Sequence, residues 1–409
     1  MRRARKRRMV LLAVGVLLGG SVAGWLALRR GNGRSASVKA LPPLHSVTRA
    51  DGTRAIEIDE TALAQVCRSA GLPAPPPPDS VDSEAYQLIY NAVREAVAAR
   101  SAETVGRLGA AYEGNGFVER GLVCYEQAVK LDPQAGVWWH LLGEAQLNKG
   151  DGDAALAALT RASALDPQNT AALALRGNLL IERGAFAEAE ECYRRYVQSR
   201  PQDPLGHFAL GRIALATGDA AGARSQLEET IKYAERYQQA HLLLARALER
   251  LGEQEAARRS LELAAAYKNE KPPSLHDPNH ADVLRSGNST MALQKLMVFY
   301  SQSGRNEEAY KLAQQIVARR PDDYSNYRNL GALGEQTGRP SAAIEHYRHA
   351  IALNPRYVEG YVALARVLRD QNQDEEALQA INQALSLDAS NAAAASVRTS
   401  LLAKLHRKE

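Results

Sequence analysis

Gly116, Gly150, Gly184, Gly218 and Gly252 stand at a constant step of 34 residues. The step breaks once, resumes at Gly304 and Gly338, and next lands on Asn372. Gly and Asn adopt a left-handed backbone conformation at low cost, so each rung marks a point where a helix ends and the chain turns. Five residues beyond each rung stands a small side chain: Gly121, Ala155, Ala189, Ala223, Ala257, Ala309, Ala343 and Ala377. A small residue there lets the helix after the turn approach the helix before it. The register therefore predicts a row of short helical hairpins.

The rest of each unit agrees. Before the rungs, apolar residues recur at three- and four-residue spacing, as in Trp139, Leu142 and Leu147, which predicts a half-buried helix. After them, segments such as AALAALTRASALDP carry a second one-sided apolar stripe. Pro133, Pro167, Pro201, Pro321 and Pro355 close these second helices. Trp139-x2-Leu142-Gly143 and Leu108-Gly109-x2-Tyr112, with the later aromatics Tyr125, Tyr193 and Tyr347, resemble the tetratricopeptide repeat. Eight such units begin at residues 102, 136, 170, 204, 238, 290, 324 and 358, covering 272 of the 409 residues. Some depart from the pattern: Arg176 replaces the expected Leu, and His207 and His241 replace the Trp, where core packing is expected of them. The fold expected from the resemblance is all-α, a right-handed superhelical solenoid.

Charge is unevenly spread. The chain carries a net +5, but residues 1–34 hold nine Lys and Arg and no acid, leaving 42 basic against 46 acidic residues beyond them. The high isoelectric point thus belongs to the tail, and a nucleic-acid partner loses its main support. Residues 1–8 form a basic cytoplasmic tail, and the uncharged stretch 9–28 is long enough to span a bilayer as a transmembrane helix. Six basic residues before it and three just after keep the N-terminus in the cytoplasm, so the repeats are expected across the cytoplasmic membrane, in a periplasm or outside. The alternative is a cleaved signal peptide ending at Ser21-Val22-Ala23, but apolar residues continue through Trp25-Leu26-Ala27-Leu28, which favours the anchor.

Residues 29–81 read as a Pro-rich spacer, extended at PAPPPP and broken by a short helix capped by Asp59, with Leu63, Val66 and Cys67 on one face. A capping helix over 82–101, with Tyr86, Ile89, Val93 and Val97 inward, precedes repeats 1–5 (102–271). An insert, 272–289, separates them from repeats 6–8 (290–391), and residues 392–409 suit a C-terminal capping helix.

Little of this invites chemistry. Cys124 and Cys192 lie two repeats apart, beyond disulfide reach, and Cys67 meets either only if the spacer folds back. No nucleotide loop, hydrolase elbow, zinc-protease or kinase signature is present, so no enzyme activity and no cofactor are expected. In the insert, His276, Asp277 and His280 are metal-capable types at close spacing, but Asp277-Pro278 is also an ordinary turn and helix start. A pattern this short carries little specificity, and the insert reads as a structural element or second binding surface.

The resemblance implies a concave groove lined by first helices that holds a protein partner. The residues falling in its columns include His140, Asn178, Phe208 and two basic strips, Arg212, Arg246 and Arg250, then Arg328, Arg366 and Arg369. These strips suit an acidic or carboxylate-ended segment, unless Glu249, Glu253 and Glu335 neutralise them. The clamp of chaperone-tail-binding relatives and the asparagine ladder of sugar-transferring ones are absent. The expected function is a membrane-tethered binding scaffold. A secreted envelope-assembly or chaperone-like factor, or an accessory subunit of a separate enzyme, are the alternatives.

Overall fold

The computed structural model describes residues 41–48, 54–268, 270, 272–275 and 277–405. The basic tail, the apolar stretch 9–28 and His276 lie outside these residues. Among the described residues no helix is long and apolar enough to cross a membrane. Two compact units divide the chain, one ending at Gly287 and the other beginning at Asn288.

In the first unit, strands β1 (His45–Thr48) and β2 (Arg54–Glu57) pair antiparallel, with Val47 opposite Ala55. Helix α1 (Glu60–Ala70) starts where Asp59 accepts from the Ala62 amide at 2.9 Å, and α2 (Ser83–Ala99) follows. Five hairpins come next: α3 (Ala102–Gly114) with α4 (Val118–Leu131), α5 (Gly136–Lys149) with α6 (Gly152–Leu165), α7 (Thr170–Glu182) with α8 (Phe186–Ser199), α9 (Pro204–Thr217) with α10 (Ala220–Tyr233), and α11 (Gln238–Arg250) with α12 (Gln254–Ala266). The unit closes with α13 (Pro278–Arg285). The second unit holds α14 (Thr290–Gln302) with α15 (Asn306–Arg319), α16 (Tyr324–Gln336) with α17 (Pro340–Leu353), α18 (Val358–Asp370) with α19 (Asp374–Leu387), and α20 (Ala392–Leu405).

The glycine ladder acts as its spacing predicts. Gly150 ends α5 at φ 85°, its amide bonding the Leu147 carbonyl while the Asp151 amide bonds Gln146. That pair of bonds satisfies carbonyls the helix end would leave open. Asp151 then caps α6 by accepting from Ala154, so one dipeptide stops one helix and starts the next. Packing explains the small residues. Ala155 and Ala189 are fully buried, and a Cβ on Gly177 would stand 2.5 Å from the Tyr193 ring. Close helix approach, and not turn geometry, requires glycine there.

The segment before the repeats is not a free spacer. Arg120 donates to the Ala74 carbonyl and Tyr112 to the Pro73 carbonyl, both at 2.9 Å. Tyr90 donates to the Pro42 carbonyl at 2.7 Å. Leu63, Cys67 and Leu72 share one core with Ile89, Val93, Leu108 and Cys124. The extended reading of residues 73–78 missed these anchors because the prolines themselves hold the carbonyls open to side-chain donors from repeat 1. The spacer folds back far enough to bring Cys67 and Cys124 into that core, yet all three cysteines are free and buried. Burial raises the thiol of Cys67 to about 11 and that of Cys124 further.

Candidate functional site

The insert does not leave the solenoid. Asp277 caps α13, accepting from the Asn279 and His280 amides, and Pro278 takes the first helical position. The short helix then lies on the first helices of repeats 1 and 2, α3 and α5. Val283 joins the cluster of Trp138, Leu141 and Leu142, and Leu275 packs beside Leu173 and Leu180 of repeat 3. Backbone meets backbone at Gly114, where an added Cβ would stand 2.4 Å from the Val283 carbonyl oxygen. The groove of repeats 1–3 is lined with the chain's own residues.

Polar groups fasten it. His140 is fully buried, with Nε2 2.8 Å from Asp277 Oδ2 and 4.0 Å from Glu144 Oε2. Its Nδ1 lies 3.4 Å from the side-chain Nδ2 of Asn169. His280 Nδ1 bonds Glu144. Nearby, Glu113 accepts from Tyr125 at 3.0 Å and Asn148 at 3.3 Å. Burial, then the charge of Glu144, pushes the Glu113 carboxyl up to about 7. Burial opposes charge on His140 and His280, but the Asp277 and Glu144 carboxylates outweigh it and raise both imidazoles. Asp277 is held below the usual carboxylate range, because the two imidazoles outweigh its own burial.

The insert covers the face of α3 and α5 that carries Gly114, His140 and Glu144. His140 and Glu144 meet the insert, and the 34-residue register carries those two columns to Phe208 and Arg212, then to Leu242 and Arg246. Gly114 shares its column with Arg250. Phe208 is buried against Tyr237, their rings 4.7 Å apart, so it underlies the groove instead of facing it. Arg212 lies over the Phe208 ring at 5.9 Å, and Arg246 is exposed. Arg250 donates to the Leu215 carbonyl at 2.6 Å, capping the end of α9. None of these three arginines has a carboxylate partner among the described residues. Glu253, a candidate to neutralise them, is instead 2.7 Å from Arg224.

Other expected site residues sit differently. His140 lines the groove, but the insert covers it. Asn178 is exposed and accepts from Tyr193 at 2.8 Å. In the second unit, Arg366 is neutralised by Glu335 at 2.9 Å and Arg369 by Asp370 at 2.9 Å. Arg328 bonds the Asn329 side chain at 3.1 Å. His207 and His241 are core residues, bonded to the Pro201 and Glu235 carbonyls. Sequence reasoning did not connect Glu113 and Glu144 with the insert. A signal existed: the column of Gly114 otherwise reads Asn148, Glu182, Ala216 and Arg250, and a lone glycine there announces a close backbone approach.

Stacked hairpins with a groove on their first helices define a protein–protein interaction solenoid. The tetratricopeptide repeat profiles match residues 107–158, 140–204, 208–273 and 300–358, and again 336–405, well over half of the chain. The chain belongs to the tetratricopeptide repeat family. Solved structures resemble the chain at low identity. A structure titled MamA is 18% identical, covering 40% of this chain and 95% of its own, with TM-score 0.38. The Desulfovibrio magneticus MamA fragment is 14% identical over 42% and 97%, with TM-score 0.39. A tetratricopeptide repeat protein from Parabacteroides merdae is 15% identical over 74% and 99%, with TM-score 0.32. No curated protein matches the chain.

Proposed function

We propose that the protein is a membrane-tethered scaffold that holds an acidic segment of a protein partner on the first helices of repeats 4 and 5. The observation that carries this reading is the unneutralised strip of Arg212, Arg246 and Arg250, in the same columns that hold the insert in repeats 1 and 2. Outside its tail the chain is net acidic, so a basic strip without carboxylate partners stands against the prevailing charge. Guanidinium groups pair with carboxylates bidentately, which suits an Asp- or Glu-bearing segment or a free C-terminus. The tether rests on the apolar stretch 9–28 and its basic flanks. With the Pro73 and Ala74 carbonyls held by repeat 1, the spacer offers less reach than a free chain over 29–81, which keeps the groove nearer the membrane.

The test is capture of partners from detergent-solubilised membranes by the intact chain and by an Arg212→Glu/Arg246→Glu variant of equal helicity. Arg250 is left alone because it also caps α9. A partner kept by the intact chain and lost by the variant supports the reading, and partners retained by both overturn it.

A further inference from the structure

We propose that His140, Glu144 and Asp277 form a binding site for a divalent transition-metal ion of the zinc class, with His280 beside it, and that the ion fastens the insert to the second repeat. This inference is independent of the partner reading for repeats 4 and 5.

The side chains converge from two separate places. His140 and Glu144 are four residues apart on α5, so helix geometry puts them on one face. Asp277 and His280 stand at the cap and third residue of α13, 137 residues further on for the His140–Asp277 pair. Nε2 of His140, one oxygen of Glu144 and one of Asp277 all lie within 4.8 Å of one another. A tetrahedral zinc ion with bonds of about 2.0–2.2 Å keeps its donor atoms about 3.3–3.6 Å apart. The present separations of 2.8 Å for His140–Asp277 and 4.0 Å for His140–Glu144 bracket that value.

The chemistry of the set is specific. Imidazole with carboxylate donors suits zinc and its neighbours, whereas all-oxygen sets suit magnesium or calcium. Asp277 is already aimed: one oxygen is held by two backbone amides of α13, which leaves Oδ2 facing His140. Such outer bonds are what orient metal ligands elsewhere. The ion pairs of Glu144 and Asp277 among the described residues are with imidazoles alone, and no Lys or Arg joins them. His140 is sealed, whereas the His280 side chain is 35% exposed and gives the ion a way in.

The experiment titrates zinc chloride into the detergent-solubilised full chain, prepared without a histidine tag, by isothermal calorimetry. The intact chain is expected to take up one zinc ion. Glu144→Gln and Asp277→Asn keep the shape of each side chain, and Asn still caps a helix, so both variants should fold. Each is expected to weaken zinc binding by more than about tenfold. The zinc-edge X-ray absorption spectrum of the loaded chain should show imidazole scattering. A chain that takes up no zinc, variants that bind it unchanged, or a bound ion surrounded by water oxygens alone would overturn the assignment.

Discussion

Gly218 turns the chain at φ 90° with nothing within 4 Å of where a side chain would begin. Replacing it with Ala therefore adds backbone strain and no clash. Gly218→Ala should cost about 1–2 kcal/mol, read as an earlier urea midpoint at unchanged helicity. Asn372 occupies the same rung at φ 61° and its side chain accepts from Lys404 at 3.0 Å, so Asn372→Gly relieves backbone strain but loses that bond, and should move the midpoint little in the same assay. His346 offers a pH test in the second unit. Burial first, then the charge of neighbouring His349, lowers its imidazole below the ordinary 6.5. The folded chain binds this proton less readily than the unfolded chain, so the stability it contributes is full above 6.5 and is lost as pH falls through the folded value. The expected result is an imidazole midpoint below 6.5 by NMR, with a shallower acid loss of stability in His346→Gln. At this scale the sequence was legible wherever a residue answers to its own backbone. Gly150 and Asp151 declare their roles without a neighbour. His140 and Asp277 do not, because neither reveals that a partner 137 residues away will meet it.

The element that most changes the picture is α13. Its start could be read from Asp277-Pro278, and its apolar Ala281, Val283 and Leu284 follow at helical spacing. All three are buried, so Leu284→Ala should cost about 2–5 kcal/mol of the insert's attachment. Its destination was hidden, because a helix of eight residues states which face is apolar but not which groove will receive it. The same limit explains the β1–β2 hairpin: two runs of four residues are too short for alternation to stand out. The seat of α13 can be tested at Gly114. A Cβ there would press on the Val283 carbonyl, and backbone cannot yield as a flexible side chain can. Gly114→Val should therefore displace the insert and quicken tryptic cleavage after Arg285, with little change in the helicity of the repeats. Cleavage at the wild-type rate would show that the insert is held elsewhere.

For the whole chain, the repeats both announced the fold and limited what could be learned of the site. Thirty-four-residue spacing placed Arg212, Arg246, Arg328 and Arg366 in register columns equally well, but spacing says nothing of which carboxylates swing across to meet them. Glu335 neutralises Arg366, while Glu253 turns to Arg224 and leaves the first strip free. We propose that this strip, in the groove columns of repeats 4 and 5, receives an acidic partner segment. Leu242 lies in the column of His140 and is 37% exposed, which makes it the best place to catch that segment. The measurement is photocrosslinking in intact membranes with a benzophenone amino acid at position 242, set beside the same probe at exposed Arg258 on α12. One discrete adduct is expected from position 242 and none from 258. It should fade at about 1 M salt, where the screening length falls to ~3 Å, and vanish with Arg212→Glu/Arg246→Glu. No adduct at position 242, or one insensitive to both salt and charge reversal, would contradict it.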